Sequence, residues 1–504
     1  SETLSQQVEV DTEAGALTLN AADIGGDGTV NLAEAEAGVA VTGTADPGAL
    51  VEVTLGEVTQ STVTDSGGNW RTTYRLEDIP GGDYMSDVVA TTTDAAGNVA
   101  RVDAQVHVDT QVDNLSLNDL NIAIGSTGEQ VINADIAAAG FPVTGTIEPG
   151  SSVVVTIAGV SHTATVNPDG SWVAQFQPNE ITGTEYIADM KVDVVDPAGN
   201  PASIEGQVPV DLLVNELSRD PGPVAGDDVV NALEAADGVT LTGQVEAGST
   251  VMIDAFGKSY PATVDAAGNW SLTLPGADIP LADDTFPVVV TATDIAGNSS
   301  EIRDSLTVDT MTPDSPDLVG YFREGGGYRN VTLETTGDDV EIHQVAPGGG
   351  VSTLSLAENE NTFLGETDYF FTDAGGTSTS IPDGSQLVVT SSDDAGNTAS
   401  TYVVLDETST NAVDAGNPNL SQFQIETIDL RFGDRSELTI TEDQLVALSD
   451  TSDQLVVRGG SDDTVTVTGA QRAGSTQMHG ERFDIYTLGD DATVVVDDDI
   501  DVVT

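Results

Sequence analysis

Asp94-Ala95-Ala96-Gly97-Asn98 returns as Asp196-Pro197-Ala198-Gly199-Asn200, Asp294-Ile295-Ala296-Gly297-Asn298 and Asp393-Asp394-Ala395-Gly396-Asn397. The copies stand 102, 98 and 99 residues apart, and a fixed period sets the architecture before any strand is drawn. A second marker, Gly-Asn/Ser-Trp, ends at Trp70, Trp172 and Trp270, in the same register. A third runs Val41 to Gly48, Val143 to Gly150 and Leu241 to Gly248, with Val-Thr-Gly-Thr or a close variant followed by an acid and a glycine. A fourth closes the repeats at Val108-Asp109-Thr110 and Val308-Asp309-Thr310, weakened to Val210-Asp211 and Leu405-Asp406. These markers bound four repeats, at 12–109, 110–211, 212–309 and 310–406. Residues 1–11 read as the end of a preceding repeat or linker, and the period stops in 407–504.

Within a repeat, short alternating runs are punctuated by Gly, Asp, Asn and Pro. At about 100 residues this predicts an all-β chain of tandem Ig-like β-sandwiches arranged as an elongated rod. In the first repeat strands are expected near 39–45, 49–56, 58–64, 69–76, 85–93 and 99–108, after an irregular first strand. Val51, Val53 and Leu55 alternate with Glu52, Thr54 and Gly56, the pattern of one buried and one wet face. One Trp per repeat at the start of such a strand reads as a core residue in preference to a sugar-stacking platform. The fourth repeat diverges: it lacks the Trp turn and carries glycine runs at Gly325 to Gly327 and Gly348 to Gly350.

Composition narrows the function. Asp and Glu number 84 against 14 Lys and Arg, a formal charge of -70 over 504 residues. Such a polyanion is repelled by nucleic acid and by anionic membranes. With 38% hydrophobic residues the chain can nonetheless build packed cores. There is no cysteine, and His107, His162, His343 and His479 lack ligand spacing, which argues against zinc. No apolar run reaches the roughly 20 residues of a membrane helix, and the N-terminus has no signal-peptide pattern. Val10-Asp11-Thr12 echoes the later repeat ends, so the chain is expected to be a piece of something longer.

Strand order sorts the loops into two poles. One pole is expected to gather the acid after the third marker, the turn before the Trp (Asp65, Asp169, Asp265), the Asp-x-Ala-Gly-Asn loop, and the closing Asp of the preceding repeat. The sets are Asp11 with Asp46 and Asp94; Asp109 with Glu148 and Asp196; Asp211 with Glu246 and Asp294; and Asp309 with Asp393 and Asp338 or Asp339. Converging carboxylates, helped by turn carbonyls, suit calcium, which takes six to eight oxygens in irregular geometry. The plainer reading, that Asp and Asn make Asx turns, holds for any single loop. It explains less well acids that recur at several loops of one pole. A second cluster, Asp27, Asn31 and Glu34, then Glu129, Asn133 and Asp135, then Asp227, Asn231 and Glu234, falls at the opposite pole, where it is expected to hold a further cation facing the following repeat. The second copy shifts its last acid by one position.

The joint pattern of Asn-x-x-Glu, Val-Thr-Gly-Thr, Gly-Asn-Trp, Asp-x-Ala-Gly-Asn and Val-Asp-Thr resembles the bacterial Ig-like repeats of giant RTX adhesins exported by type I secretion. The likeness covers residues 1–310 and, in part, 311–406. It implies a non-enzymatic, calcium-stiffened extender at the bacterial cell surface, serving adhesion and biofilm formation. The partners it implies are neighbouring repeats of the same chain and a host or biofilm glycan or protein, with the chain itself a monomeric rod that does not insert in membranes. In 407–504 the segments Ile425 to Leu430, Leu438 to Thr441 and Leu455 to Val457, with a short helix expected at Glu442–Leu448 capped by Thr441, read as mostly β or α+β. With Leu448-Ser449-Asp450 and Gly460 to Val465, this part resembles a module common in large RTX proteins. Asp450 and Asp497 to Asp499 read as a solvated tail or capped turn, with calcium binding as the alternative. A ligand-binding tip in 311–504 is the alternative, because Tyr321, Phe322, Tyr328, Tyr369, Phe370 and Phe371 concentrate there. A glycoside-active enzyme ranks last, since no pair of carboxylates is singled out and no nucleophile set or nucleotide loop is present.

Overall fold

A computed structural model describes residues 6–120, 122–125, 128–406, 411–449, 452–489 and 492–504; Asp450 lies outside them. Two compact units are distinguished, residues 1–215 with the loop 293–300, and residues 216–292 with 301–504.

In the first unit each repeat is a two-sheet sandwich, as the alternation predicts. In the first repeat, Val39–Thr44 pairs with Asn69–Tyr74 and with Thr18–Leu19. The facing sheet runs in the order Thr29–Val30, Val99–Asp109, Asp83–Thr93, Leu50–Leu55, Val58–Val63. All its pairings are antiparallel except the first, where Thr29 lies opposite His107. The second repeat keeps the plan, with Phe141–Thr146 against Ser171–Phe176 and Glu185–Val195 against Pro201–Asp211. Val51, Val53 and Leu55 are buried, while Glu52 is exposed. This out-of-phase burial drives the two sheets together.

Trp70, Trp172 and Trp270 are core residues, all but fully buried. Each lies opposite the glycine of the third marker, as in the pairs Gly43↔Trp70, Gly145↔Trp172 and Gly243↔Trp270. A Cβ at Gly145 would come 2.5 Å from the Trp172 ring and 2.1 Å from the Ser116 carbonyl oxygen. The third marker thus carries a glycine because the second carries a tryptophan that rests on it.

One class of element goes beyond the sequence reading. The second acidic cluster forms a short helix: α1 at Leu32–Ala37, α2 at Ala134–Ala139 and α3 at Ala232–Asp237. Asn31 and Asn231 are N-caps, and Glu34 and Glu234 close capping boxes. In α2 the third position is Ile136, so Asn133 caps without the reciprocal carboxylate. With six residues each, these helices are too short to show a 3.6-residue period.

In the second unit the third repeat again forms two sheets, Val239–Gln244 with Asn269–Leu274 and Asp283–Thr293 with Ser299–Asp309. A sheet of the fourth repeat continues past 406. Its strands Val351–Thr353, Asp339–Val345, Ser385–Ser392 and Thr398–Leu405 continue, in that order, into Ile425–Asp429, Gln454–Arg458, Ala492–Asp497, Glu481–Leu488 and Gln471–Met478. The sheet has nine strands, and from Thr398–Leu405 to Ala492–Asp497 its pairings are parallel. The alternate strands Asn411–Val413, Ser436–Ile440, Thr464–Val467 and Asp501–Val503 build a second parallel sheet. The chain therefore winds between two parallel sheets as a β-coil grown onto the edge of the fourth sandwich. α4 is at Glu442–Leu448 with Thr441 as its N-cap, as the capping pattern predicts. Asp317 bridges the two parts, ion-paired to Arg431 at 2.7 Å and to Arg458 at 2.5 Å. Asp429 holds Arg431 from the other side at 2.8 Å. Among the described residues no helix is long and apolar enough to cross a membrane.

Candidate metal centres at the repeat junctions

The register sets the poles. Thr44 opposite Asn69, and Val51 opposite Thr92, bring the loops holding Asp46, Asp65 and Asp94 to one end. Asp83 opposite Asp109, and Val30 opposite Val108, put the closing Asp and α1 at the other.

At the junction of the first two repeats, Asp109 and Asp196 are buried and meet through Asn200. The Asn200 Nδ2 donates to the Asp109 carbonyl at 3.0 Å and to Asp196 Oδ2 at 2.6 Å. The Asn200 backbone N–H donates to Asp196 Oδ1 at 2.7 Å. Glu148 Oε1 accepts from the Asp113 backbone N–H at 3.1 Å, so it leans on the linker that begins at Asp109. Burial comes first in raising the Glu148 carboxyl above the ordinary range, and the charges of Asp196, Asp109 and Asp113 add to it. Asp109 is raised for the same reasons, by burial and then by Asp196 and Asp83, against a hydrogen bond from Gln111. Among the described residues no Lys or Arg pairs with Asp109, Glu148 or Asp196. The raised carboxyls of buried Asp109 and half-buried Glu148 stand beside Asp196 with no Lys or Arg among the described residues to neutralise them, the condition a bound hard cation relieves.

The other junctions repeat parts of this arrangement. Carboxylate oxygens of Asp211 and Asp294 come within 4.8 Å of each other. The Asn298 Nδ2 links them, donating to Asp211 Oδ1 at 3.1 Å and to Asp294 Oδ2 at 2.7 Å. Burial and then the charge of Asp294 raise Asp211. Glu246 follows Val239–Gln244 as Glu148 follows Phe141–Thr146. Asn397 joins the Asp309 carbonyl, at 2.9 Å, to Asp393 Oδ2, at 2.8 Å. Asp309 is raised by burial and then by Asp393 and Asp283. Asp338 accepts from the Ser391 hydroxyl at 3.2 Å, and Asp339 starts the strand that pairs there. At the first pole Asn98 joins the Asp11 carbonyl, at 3.3 Å, to Asp94, at 2.9 Å. A Cβ at Gly15 would meet the Asp46 carboxylate at 1.9 Å, so the incoming chain runs directly over it. Asp94 is half-buried and held below the ordinary range, chiefly by the Asn98 side-chain amide.

The Asp residues of the Trp turns do local work: Asp65 and Asp265 accept backbone N–H groups of their own turns, and Asp169 accepts from Ser171. At the opposite pole, Asp27 and Asp227 make Asx turns to Thr29 and Val229. Glu34 and Glu234 accept from the Asn31 and Asn231 backbone N–H groups, and each Asn Oδ1 accepts from the third helical residue. At this pole these groups cap helices and close Asx turns. Two residues escaped the sequence reading: Asp113, four positions after a closing Asp, and the Asn of Asp-x-Ala-Gly-Asn, whose invariable distance from its Asp was the available signal.

The aromatics of 311–504 are mostly structural. Tyr328, Tyr369 and Phe371 are buried, Tyr321 stacks edge-on against Tyr328, and of the set only Phe322 is exposed.

Residues 141–211 and 218–310 match family models described as bacterial Ig-like domains. No curated protein matches the chain. Among solved structures, the chain is similar to a Ca2+-stabilized adhesin that helps an Antarctic bacterium reach out and bind ice, at 29% identity over 78% of this chain and 98% of that one, with a TM-score of 0.32. A bacterial immunoglobulin-like domain from the M. primoryensis ice-binding adhesin is 40% identical over 18% of this chain and 97% of its own, with a TM-score of 0.14. The tetra-tandem repeat in the extending region of a large adhesion protein is 20% identical over 78% and 100%, with a TM-score of 0.29. The fold assignment therefore rests on the family models and the sheet topology: the chain is a bacterial Ig-like repeat region, matched as such over residues 141–211 and 218–310.

Proposed function

We propose that this chain is a non-enzymatic extender segment of a bacterial cell-surface adhesin, stiffened by calcium at its repeat junctions. The observation that carries the calcium part is the set of buried Asp109 and Asp196 with half-buried Glu148, carboxylates of like charge that no Lys or Arg neutralises among the described residues. The residues that would hold the ion are those three, with Asp211 and Asp294, Asp309 and Asp393, and Asp11, Asp46 and Asp94 at the equivalent places. Calcium supplies charge neutralisation and ties chain ends that otherwise repel. The adhesin part, with its surface location, type I export and biofilm role, rests on the resemblance of the repeat motifs. Such a segment gives reach to a binding site.

The test is calorimetric titration of calcium into the whole chain and into D109N/E148Q/D196N. The triple variant should lose one junction's share of the bound calcium and keep the rest. Unchanged stoichiometry, or loss at every junction, contradicts the assignment.

A second reading, a ligand-binding tip within 311–504, is favoured by one observation. Phe363 and Leu364 stand 93% and 58% exposed at the turn between Ser355–Asn361 and Glu366–Thr372. A glycan and peptide binding screen of the chain against F363S tests it.

A further inference from the structure

The same hydrogen-bond pattern is built three times, from amide and backbone groups. In α1 the N-cap Asn31 turns its Nδ2 outward to the Ala198 carbonyl at 3.0 Å, while the Leu32 backbone N–H donates to Asn200 Oδ1 at 2.8 Å. In α2, Asn133 donates to Ala296 at 3.0 Å and Ala134 N–H to Asn298 Oδ1 at 2.8 Å. In α3, Asn231 donates to Ala395 at 3.2 Å and Ala232 N–H to Asn397 Oδ1 at 2.7 Å. The amide nitrogens of Asn200, Asn298 and Asn397 meanwhile hold the carbonyls of Asp109, Asp211 and Asp309. Each of these three Asn residues thus grips two parts of the preceding repeat at once, its last strand and the first turn of its helix.

The glycine of the marker completes the fit. At Gly199, Gly297 and Gly396 the backbone has φ of +97, +88 and +85, and a Cβ there would lie 3.5, 3.5 and 3.8 Å from the Nδ2 of the facing Asn. Glycine meets the demand for a left-handed backbone, while a Cβ at these distances would make only ordinary van der Waals contact with the facing amide.

We infer that these asparagine pairs, Asn31 with Asn200, Asn133 with Asn298 and Asn231 with Asn397, form a metal-independent clamp by which the helix of one repeat recognises the Asp-x-Ala-Gly-Asn loop of the next. The pole carrying Asp-x-Ala-Gly-Asn is an interaction surface, and its partner is the capped Asn-x-x helix of another copy of the repeat. The fourth repeat takes α3 through Asn397, but among its own described residues it has no such helix. It receives a neighbour and offers no clamp onward, and the β-coil grows there instead. The clamp does not rest on the calcium reading: the cation neutralises the carboxylates, whereas the amides fix the contact.

A helix's first backbone N–H groups have no partner inside the helix. The Leu32, Ala134 and Ala232 N–H groups are therefore reporters protected by the next repeat. Hydrogen exchange on the full chain, resolved to single residues, reads them with and without chelator. The variants are N200S, and N31S, which keeps a capping side chain and removes the outward amide. Wild-type chain in chelator should keep Leu32 protected. Both variants should exchange Leu32 about tenfold faster or more, the weight of one hydrogen bond of about 1.4 kcal/mol, with Ala134 and the sandwich cores unchanged. Protection of Leu32 that survives in both variants overturns the clamp. So does its loss from wild type on chelation alone, since the metal would then be holding the contact. A wild type indifferent to calcium in every other measurement removes the calcium reading and leaves the clamp standing.

Discussion

At Gly145 the chain carries no side chain because Trp172 and the Ser116 carbonyl occupy the space where one would go. Gly145→Ala must push the indole or part the strands, and overpacking of this kind costs about 1–3 kcal/mol. With three Trp in the chain, one in each of the first three sandwich cores, about a third of the tryptophan fluorescence change should shift to lower denaturant. Co-melting of the variant with wild type would show that the contact relaxes freely. The Trp itself was legible as core from its place at the start of an alternating strand, and the pole acids were legible from their recurrence. The work of the asparagines was not. Asn31, Glu34, Asp27 and their copies read as ligands, and their part in capping boxes and Asx turns went unread because those motifs use the same oxygen-bearing residues that calcium does.

Among the elements, the strands of the first repeat follow the alternation to within a residue or two at each end, Val39–Thr44 and Leu50–Leu55 among them. α4 was readable because its cap and box stand in order at Thr441 and Gln444. The β-coil was not readable. Its parallel pairings join strands well separated in sequence, and the period that announced the sandwiches is absent there. Its union with the fourth sandwich turns on Asp317, a residue that sequence gives no reason to choose. Burial alone would raise the Asp317 carboxyl, but the hydrogen bonds and charges of Arg458 and Arg431 outweigh it and hold it below the ordinary range. A carboxyl whose pKa is lowered on folding adds stability above its unfolded value, about 3.9. That stability is lost as pH falls through the folded value. Acid titration should therefore weaken the part spanning 310–504 only below the usual aspartate range. In D317N, which leaves two arginines without that partner, the part should be weaker at neutral pH and lack this acid step. An acid profile identical in D317N and wild type would remove the ion network from the account.

Across the whole molecule the charge of -70 ceases to be a bulk property once the poles are known. Part of it is gathered at junctions, where buried carboxylates face each other across chain ends. Self-repulsion of this size opposes a compact state, and a cation bound only by the folded junction stabilises it by mass action, about 2.7 kcal/mol per site at a hundredfold excess over its dissociation constant. The most direct measurement is thermal unfolding of the full chain in millimolar calcium and in chelator, with small-angle scattering on the same samples. The account predicts a melting temperature lower in chelator by on the order of 10 °C, with greater flexibility between repeats and the sandwiches still folded before the transition. Melting curves and scattering profiles that coincide in the two conditions would contradict calcium stiffening of the junctions.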